Sequence, residues 1–165
     1  EEDLELLKVS ELRKAEVVKG LLRQREVDAL FVQYSCLDRV GHELNNYARR
    51  GQGYDPRHIL EMYDWFDGTL LPILLEIEAD YLVIVSDHGW QNCEGYGQHE
   101  PSGVFMVRGE DIPKGLRIET RNIDVLPIVL DVLGLPPVDV AGHSVLIRQS
   151  ELDEINQQLA GLGYI

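Results

Sequence analysis

Asp38, His42, Asp87, His88 and His99 are the residues of this chain whose types and spacing could do chemistry. They occur as Asp38-x-x-x-His42 in LDRVGHE, as Asp87-His88-Gly89 in VIVSDHGW, and as a single histidine in YGQHEPSGVF. Carboxylates and imidazoles in this combination are the ligand chemistry of a two-metal site that handles phosphoryl groups. Asp38, His42 and His99 make a two-histidine, one-carboxylate set with one position open, the pattern of a catalytic rather than a closed structural zinc site. Asp87 and His88 offer two ligands to a second ion. Taken singly, each has an ordinary reading. Asp38-x-x-x-His42 is also a capped helix start with a surface histidine, and Asp87-His88-Gly89 is also a turn in which glycine supplies positive φ. Three separate fragments that deliver such groups to one sheet edge outweigh those readings. None of the hydroxyls is an obvious nucleophile, since Thr69 and Thr120 fall in unrelated contexts.

The elements that must position these residues read as alternating helices and strands. Leu4, Leu7, Leu12, Ala15, Val18 and Leu22 are spaced as one helical face across residues 4–25. Residues 27–35, VDALFVQYS, form a β-branched and aromatic run that predicts a buried strand, with Asp38 and His42 in the loop after it. Residues 43–55 are polar and carry Arg49, Arg50, Gly51 and Gly53, which predicts an exposed loop near the site. Asp55-Pro56 signals a helix start, and Gly68 and Pro72 predict a kink in the helix that follows, or two shorter helices. Residues 80–89 and 103–109 read as strands, the first covered on both faces. Residues 122–133 read as a helix capped by Asn122 or Asp124, and Ser150-x-x-Asp153 opens a last helix. Strands joined by long helical stretches imply an α/β fold with a mostly parallel central sheet flanked by helices. Loops at the carboxyl ends of such strands build active sites.

Bulk composition narrows the classes of partner. The length of 165 residues suits a single domain or part of a larger one. A net charge of −14 excludes a nucleic-acid surface built on phosphate neutralisation, and it disfavours an anionic membrane. An anionic phosphate ester would then need metal ions as its local source of positive charge. No apolar run reaches transmembrane length. Cys36 and Cys93 make no disulfide framework, which leans toward a reducing, cytoplasmic compartment.

The motif order Asp-x-x-Gly-His, Ser-Asp-His-Gly, His resembles the alkaline phosphatase superfamily, and within it the type I phosphodiesterase and nucleotide pyrophosphatase branch. The resemblance continues through HEPSGVFMVRGEDIPKG, NIDVLPIVLDVLGLP and the closing Leu162-Gly163-Tyr164, covering nearly all of residues 28–165. It implies a metal-dependent hydrolase of phosphate esters that uses two divalent ions, zinc or manganese. Asp38, His42 and His99 match the ligands of one ion, and Asp87 and His88 match two ligands of the other. The nucleophilic Thr or Ser of that family lies in an N-terminal half that nothing here matches. The resemblance therefore implies that residues 1–165 are the C-terminal portion of a larger domain, inactive in isolation. Two alternatives stand beside it: a phosphomutase or phosphotransferase of the same superfamily, and a non-catalytic metal-binding or regulatory module.

Overall fold

A computed structural model of the chain describes residues 2–51, 55, 57–93 and 96–162. In chain order the elements are α1 (Glu2–Gln24), α2 (Cys36–Arg49), α3 (Arg57–Trp65), a π-helical turn (Phe66–Leu70), α4 (Leu71–Leu75), β1 (Tyr81–Val85), β2 (Gly89–Cys93), β3 (Tyr96–Glu100) and β4 (Phe105–Gly109). A 3-10 turn (Asn122–Asp124), α5 (Val125–Val132) and α6 (Gln149–Gly161) complete the order. They fall into two compact units, one of Glu1–Glu78 with His88–Ser102, the other of Ala79–Asp87 with Gly103–Ile165. No helix among the described residues is long and apolar enough to cross a membrane.

The first unit is built on helical periodicity. In α1, Leu7, Glu11, Ala15 and Val18 recur at helical spacing and are all buried. In α2 the buried set is Cys36, Val40 and Leu44. Leu7, Cys36, Val40, Leu44, Ile59 and Met62 form one core cluster, and Ala15, Leu70 and Leu74 form a second. Trp65 and Phe66 pack against both. The helix kink expected at Gly68 and Pro72 takes the form of the π-helical turn. There the Leu71 N–H bonds the Phe66 carbonyl, five residues back, just before a proline that has no N–H to offer.

Three sequence expectations are corrected here. Asp38 and His42 are not in a loop, and residues 43–49 are helical rather than a loop, because all of them belong to α2. Burial of Val40 and Leu44 at a spacing of four carries the helix through that polar run, and Gly51 at φ 68° follows its end. Residues 52–54 and Pro56 lie outside the described residues, although the Asp55 carboxylate accepts the Arg57 backbone N–H at 3.0 Å. Residues 27–35 form no strand and contain a bend at Asp28, and Phe31 is 76% exposed.

The third correction concerns the sheet. In place of a mostly parallel central sheet, the described residues hold two separate two-stranded antiparallel sheets, β1 with β4 and β2 with β3. A parallel pairing needs a crossover, usually a helix. Residues 86–104, between β1 and β4, contain a hairpin and no helix, so the chain returns antiparallel. The fold is α/β with small antiparallel sheets.

In the second unit β1 pairs with β4 from Tyr81↔Gly109 to Val85↔Phe105. The Ser86 hydroxyl then accepts the Val104 N–H at 2.7 Å. Arg148 ties the unit together: its guanidinium donates to Asp111 at 2.7 Å, Asp131 at 2.9 Å and the Tyr81 hydroxyl at 2.8 Å. The helix starts differ in detail from expectation. The backbone N–H before the 3-10 turn, that of Arg121, is accepted by Asp124, and the N–H before α6, that of Arg148, is accepted by Glu151. At both starts the acceptor is the third residue of the helical turn.

Asp124 is 1% exposed. The Arg121 guanidinium holds its carboxyl well below the ordinary carboxylate range against the opposing effect of burial, helped by the His143 and Arg121 backbone N–H groups. A depressed pKa contributes stability that is complete above the unfolded value and is lost as pH falls through the folded one. Asp124→Asn should therefore lower the melting temperature at pH 7 and flatten its decline below about pH 4. An acid-side slope identical to that of the parent chain would contradict this role.

Candidate metal centre

The site is assembled within the first unit by α2 and the β2–β3 hairpin. Asp38 and His42 are four residues apart on α2 and so share one face of the helix. Gly41, between them, lies against the Trp90 indole: a Cβ there would come within 2.5 Å of two ring atoms. On the hairpin Trp90 pairs directly with His99, which puts both on one face. His88 precedes Trp90 by two residues, so in extended chain it falls on that same face. Gly89 does not adopt positive φ. It sits in β2, where the Ser102 carbonyl comes within 2.5 Å of the position a Cβ would take.

The centre of the group is one oxygen. Asp38 Oδ1 is buried and has no hydrogen-bond partner among the described residues, while three histidine Nε2 atoms face it. His42 stands at 3.3 Å, His99 at 3.6 Å and His88 at 3.7 Å. The Nε2 atoms of His42 and His99 are 3.2 Å apart. Ligand atoms bound at about 2.0–2.1 Å around a tetrahedral ion lie about 3.3–3.4 Å from one another. Asp38, His88 and His99 offer ligand atoms within 4.8 Å of each other. The spacings of 3.2 and 3.3 Å match that edge, and those of 3.6 and 3.7 Å exceed it by a few tenths of an ångström, so the group could hold an ion. The donor set of carboxylate and imidazole suits zinc or manganese.

The rings are held from behind. His88 Nδ1 is 2.9 Å from the Gly89 carbonyl. A carbonyl only accepts, so Nδ1 carries the proton and Nε2 keeps its lone pair for a cation. His88 and His99 stack with centroids 3.8 Å apart and planes 13° from parallel. Trp90 lies 5.3 Å from His42 and 5.3 Å from His99.

Sequence reasoning divided these residues differently. It paired His88 with Asp87 for a second ion, whereas His88 faces the same Asp38 oxygen as His42 and His99. Asp87 belongs to the second unit, where its carbonyl accepts the Asn122 side-chain N–H at 2.8 Å. Cys36, next to the site in sequence, is buried. Burial, then the negative charge of Glu11, pushes its thiol up to about 11, so it stays protonated at neutral pH and is a poor ligand. His58 pairs with Glu61, and His143 donates its backbone N–H to Asp124. The side chains of Arg49, Cys93 and Tyr96 lie outside the described residues. Gly41 and Trp90 form the packed wall of the site. The only sequence signal for that wall was a glycine immediately before the last residue of the Asp38-x-x-x-His42 motif and an aromatic after Asp-His-Gly.

The chain is similar to a phosphomutase. It is 30% identical over 158 residues to a 2,3-bisphosphoglycerate-independent phosphoglycerate mutase of Synechococcus sp. (strain JA-3-3Ab), a protein of the alkaline phosphatase superfamily. The match takes in 86% of this chain and 28% of that protein, so the chain spans little more than a quarter of its relative's length. No family model matches the chain, and no solved structure matches it.

Gly41→Ala should displace Trp90 and, through it, the two histidines it touches. Divalent-metal affinity measured by calorimetry should fall by about tenfold or more, the range of supporting-shell changes. Gly20→Ala, where nothing lies within 4 Å of the new Cβ, should leave affinity unchanged. Equal affinities in the two variants would contradict the packing role of Gly41.

Proposed function

We propose that this chain carries the metal-binding part of a divalent-metal-dependent phosphoryl-transfer enzyme of the phosphate-ester hydrolase type. The observation that supports it most is the convergence of His42, His88 and His99 on the buried Asp38 oxygen. In this reading Asp38, His42, His88 and His99 hold one divalent ion, zinc or manganese. An ion held by these residues would supply local positive charge that a chain of net charge −14 lacks and would serve as the Lewis acid for a phosphoryl group. The chain's own residues do the positioning. The Gly89 carbonyl fixes the His88 tautomer, and Trp90 limits the rotation of His42 and His99. The attacking hydroxyl comes from sequence outside these residues.

A second reading, transfer of a phosphoryl group between two positions of one substrate, is favoured by the likeness to a phosphoglycerate mutase. The same ligands serve both reactions. They differ in product: a hydrolase releases inorganic phosphate or a phosphomonoester, and a mutase returns an isomer of its substrate.

Titration of this chain with Zn²⁺ and Mn²⁺ tests the metal assignment. Asp38→Ala and His99→Ala should each weaken binding by more than the roughly 10–100-fold typical of changes outside the ligand shell. Unchanged affinity and stoichiometry in both variants would sink the assignment.

A further inference from the structure

We infer that Glu11 is a positioning residue for this site: it takes over the capping of α2 and thereby leaves the Asp38 carboxylate free to face the histidines. The inference deepens the proposed metal-binding role of Asp38 and rests on it.

Helix starts leave backbone N–H groups without partners, and a carboxylate at the third helical position commonly reaches back to the N–H of the capping residue. This chain does so twice. Asp124 accepts the Arg121 N–H at 3.0 Å, and Glu151 accepts the Arg148 N–H at 2.7 Å. The start of α2 has the same sequence pattern. Ser35 is the capping residue, since its carbonyl accepts the Arg39 N–H at 2.9 Å, the first bond of the helix. Asp38 is then the third helical residue, and Ser35-x-x-Asp38 is a capping-box sequence.

Asp38 does not play the expected part. The Ser35 N–H donates instead to Glu11 Oε1 at 3.1 Å, a contact from α1 that spans 24 positions of sequence. Glu11 is 1% exposed and pairs with Lys14. A buried carboxylate in the apolar stripe of a helix is expensive unless paired and hydrogen-bonded. Its placement at the positive end of α2 offsets that cost. The consequence lies at the other carboxylate. With its local donor occupied, Asp38 Oδ1 is left without a hydrogen bond and stands 3.3–3.7 Å from three imidazole nitrogens. Without Glu11, the Ser35 N–H and the metal site compete for the same carboxylate.

The test compares Glu11→Met, which fills the space without an acceptor, with Glu11→Gln, which keeps an acceptor oxygen. Far-UV circular dichroism confirms the fold of each variant. In Zn²⁺ titrations Glu11→Met should bind roughly tenfold more weakly, as competition from one hydrogen bond predicts, and Glu11→Gln should stay within about threefold of the parent. Parent-like affinity in Glu11→Met, or equal losses in the two variants, would overturn the inference. A metal-free double-mutant cycle separates it from the metal assignment itself. Asp38→Ala should lower the melting temperature more in the Glu11→Met background, where Asp38 has become the cap, than in the parent. Equal shifts would overturn the inference whether or not the parent binds zinc.

Discussion

One buried carboxylate oxygen sets the terms for the first unit. Asp38 Oδ1 has no hydrogen-bond partner among the described residues and faces three imidazole nitrogens at 3.3–3.7 Å, an arrangement that a cation would complete. Everything that brings this oxygen to its place comes from ordinary folding forces. Val40 and Leu44 turn one side of α2 into the core, which sends Asp38 and His42 to another side. Cross-strand pairing in the hairpin puts His99 beside Trp90, and His88, just before β2, stacks on His99. Gly41 lets the indole approach the helix closely enough for the two sets of residues to meet.

Four of the residues that gather at the candidate site were legible in the sequence as chemistry-bearing side chains, and so was much of the helical framework. Helix α1 follows from apolar spacing that burial in the structure repeats at Leu7, Ala15 and Val18, and α5 lies within the stretch marked by its capping residues. The π-helical turn was foreshadowed by Gly68 and Pro72. Which ligands share one centre was not legible. Spacing along the chain grouped His88 with its neighbour Asp87, whereas the hairpin face groups it with His99. The helical setting of Asp38 and His42 was obscured by Gly41 and by the polar residues that follow, whose low helix propensity is overridden by tertiary burial.

The strand expectation for residues 27–35 failed for a different reason. β-Branched and aromatic composition reports a preference for a pleated, half-buried surface, and it needs a neighbouring strand to be realised. Among the described residues that run has no ladder, and Leu30, Phe31 and Val32 stay exposed beside Leu6, Val9, Val17 and Leu21 of α1. The parallel sheet was inferred from that strand and from a crossover that the hairpin replaces. Both inferences were about partners, which a single segment does not encode.

The central claim is that histidine nitrogens and one aspartate oxygen hold a divalent ion, and X-ray absorption on the zinc-loaded chain reads that shell directly. The account predicts nitrogen and oxygen scatterers at about 2.0–2.1 Å, with the outer-ring scattering of at least two imidazoles, reduced by one imidazole in His99→Ala. Sulfur scattering near about 2.3 Å, or an oxygen shell with no imidazole contribution, would contradict it.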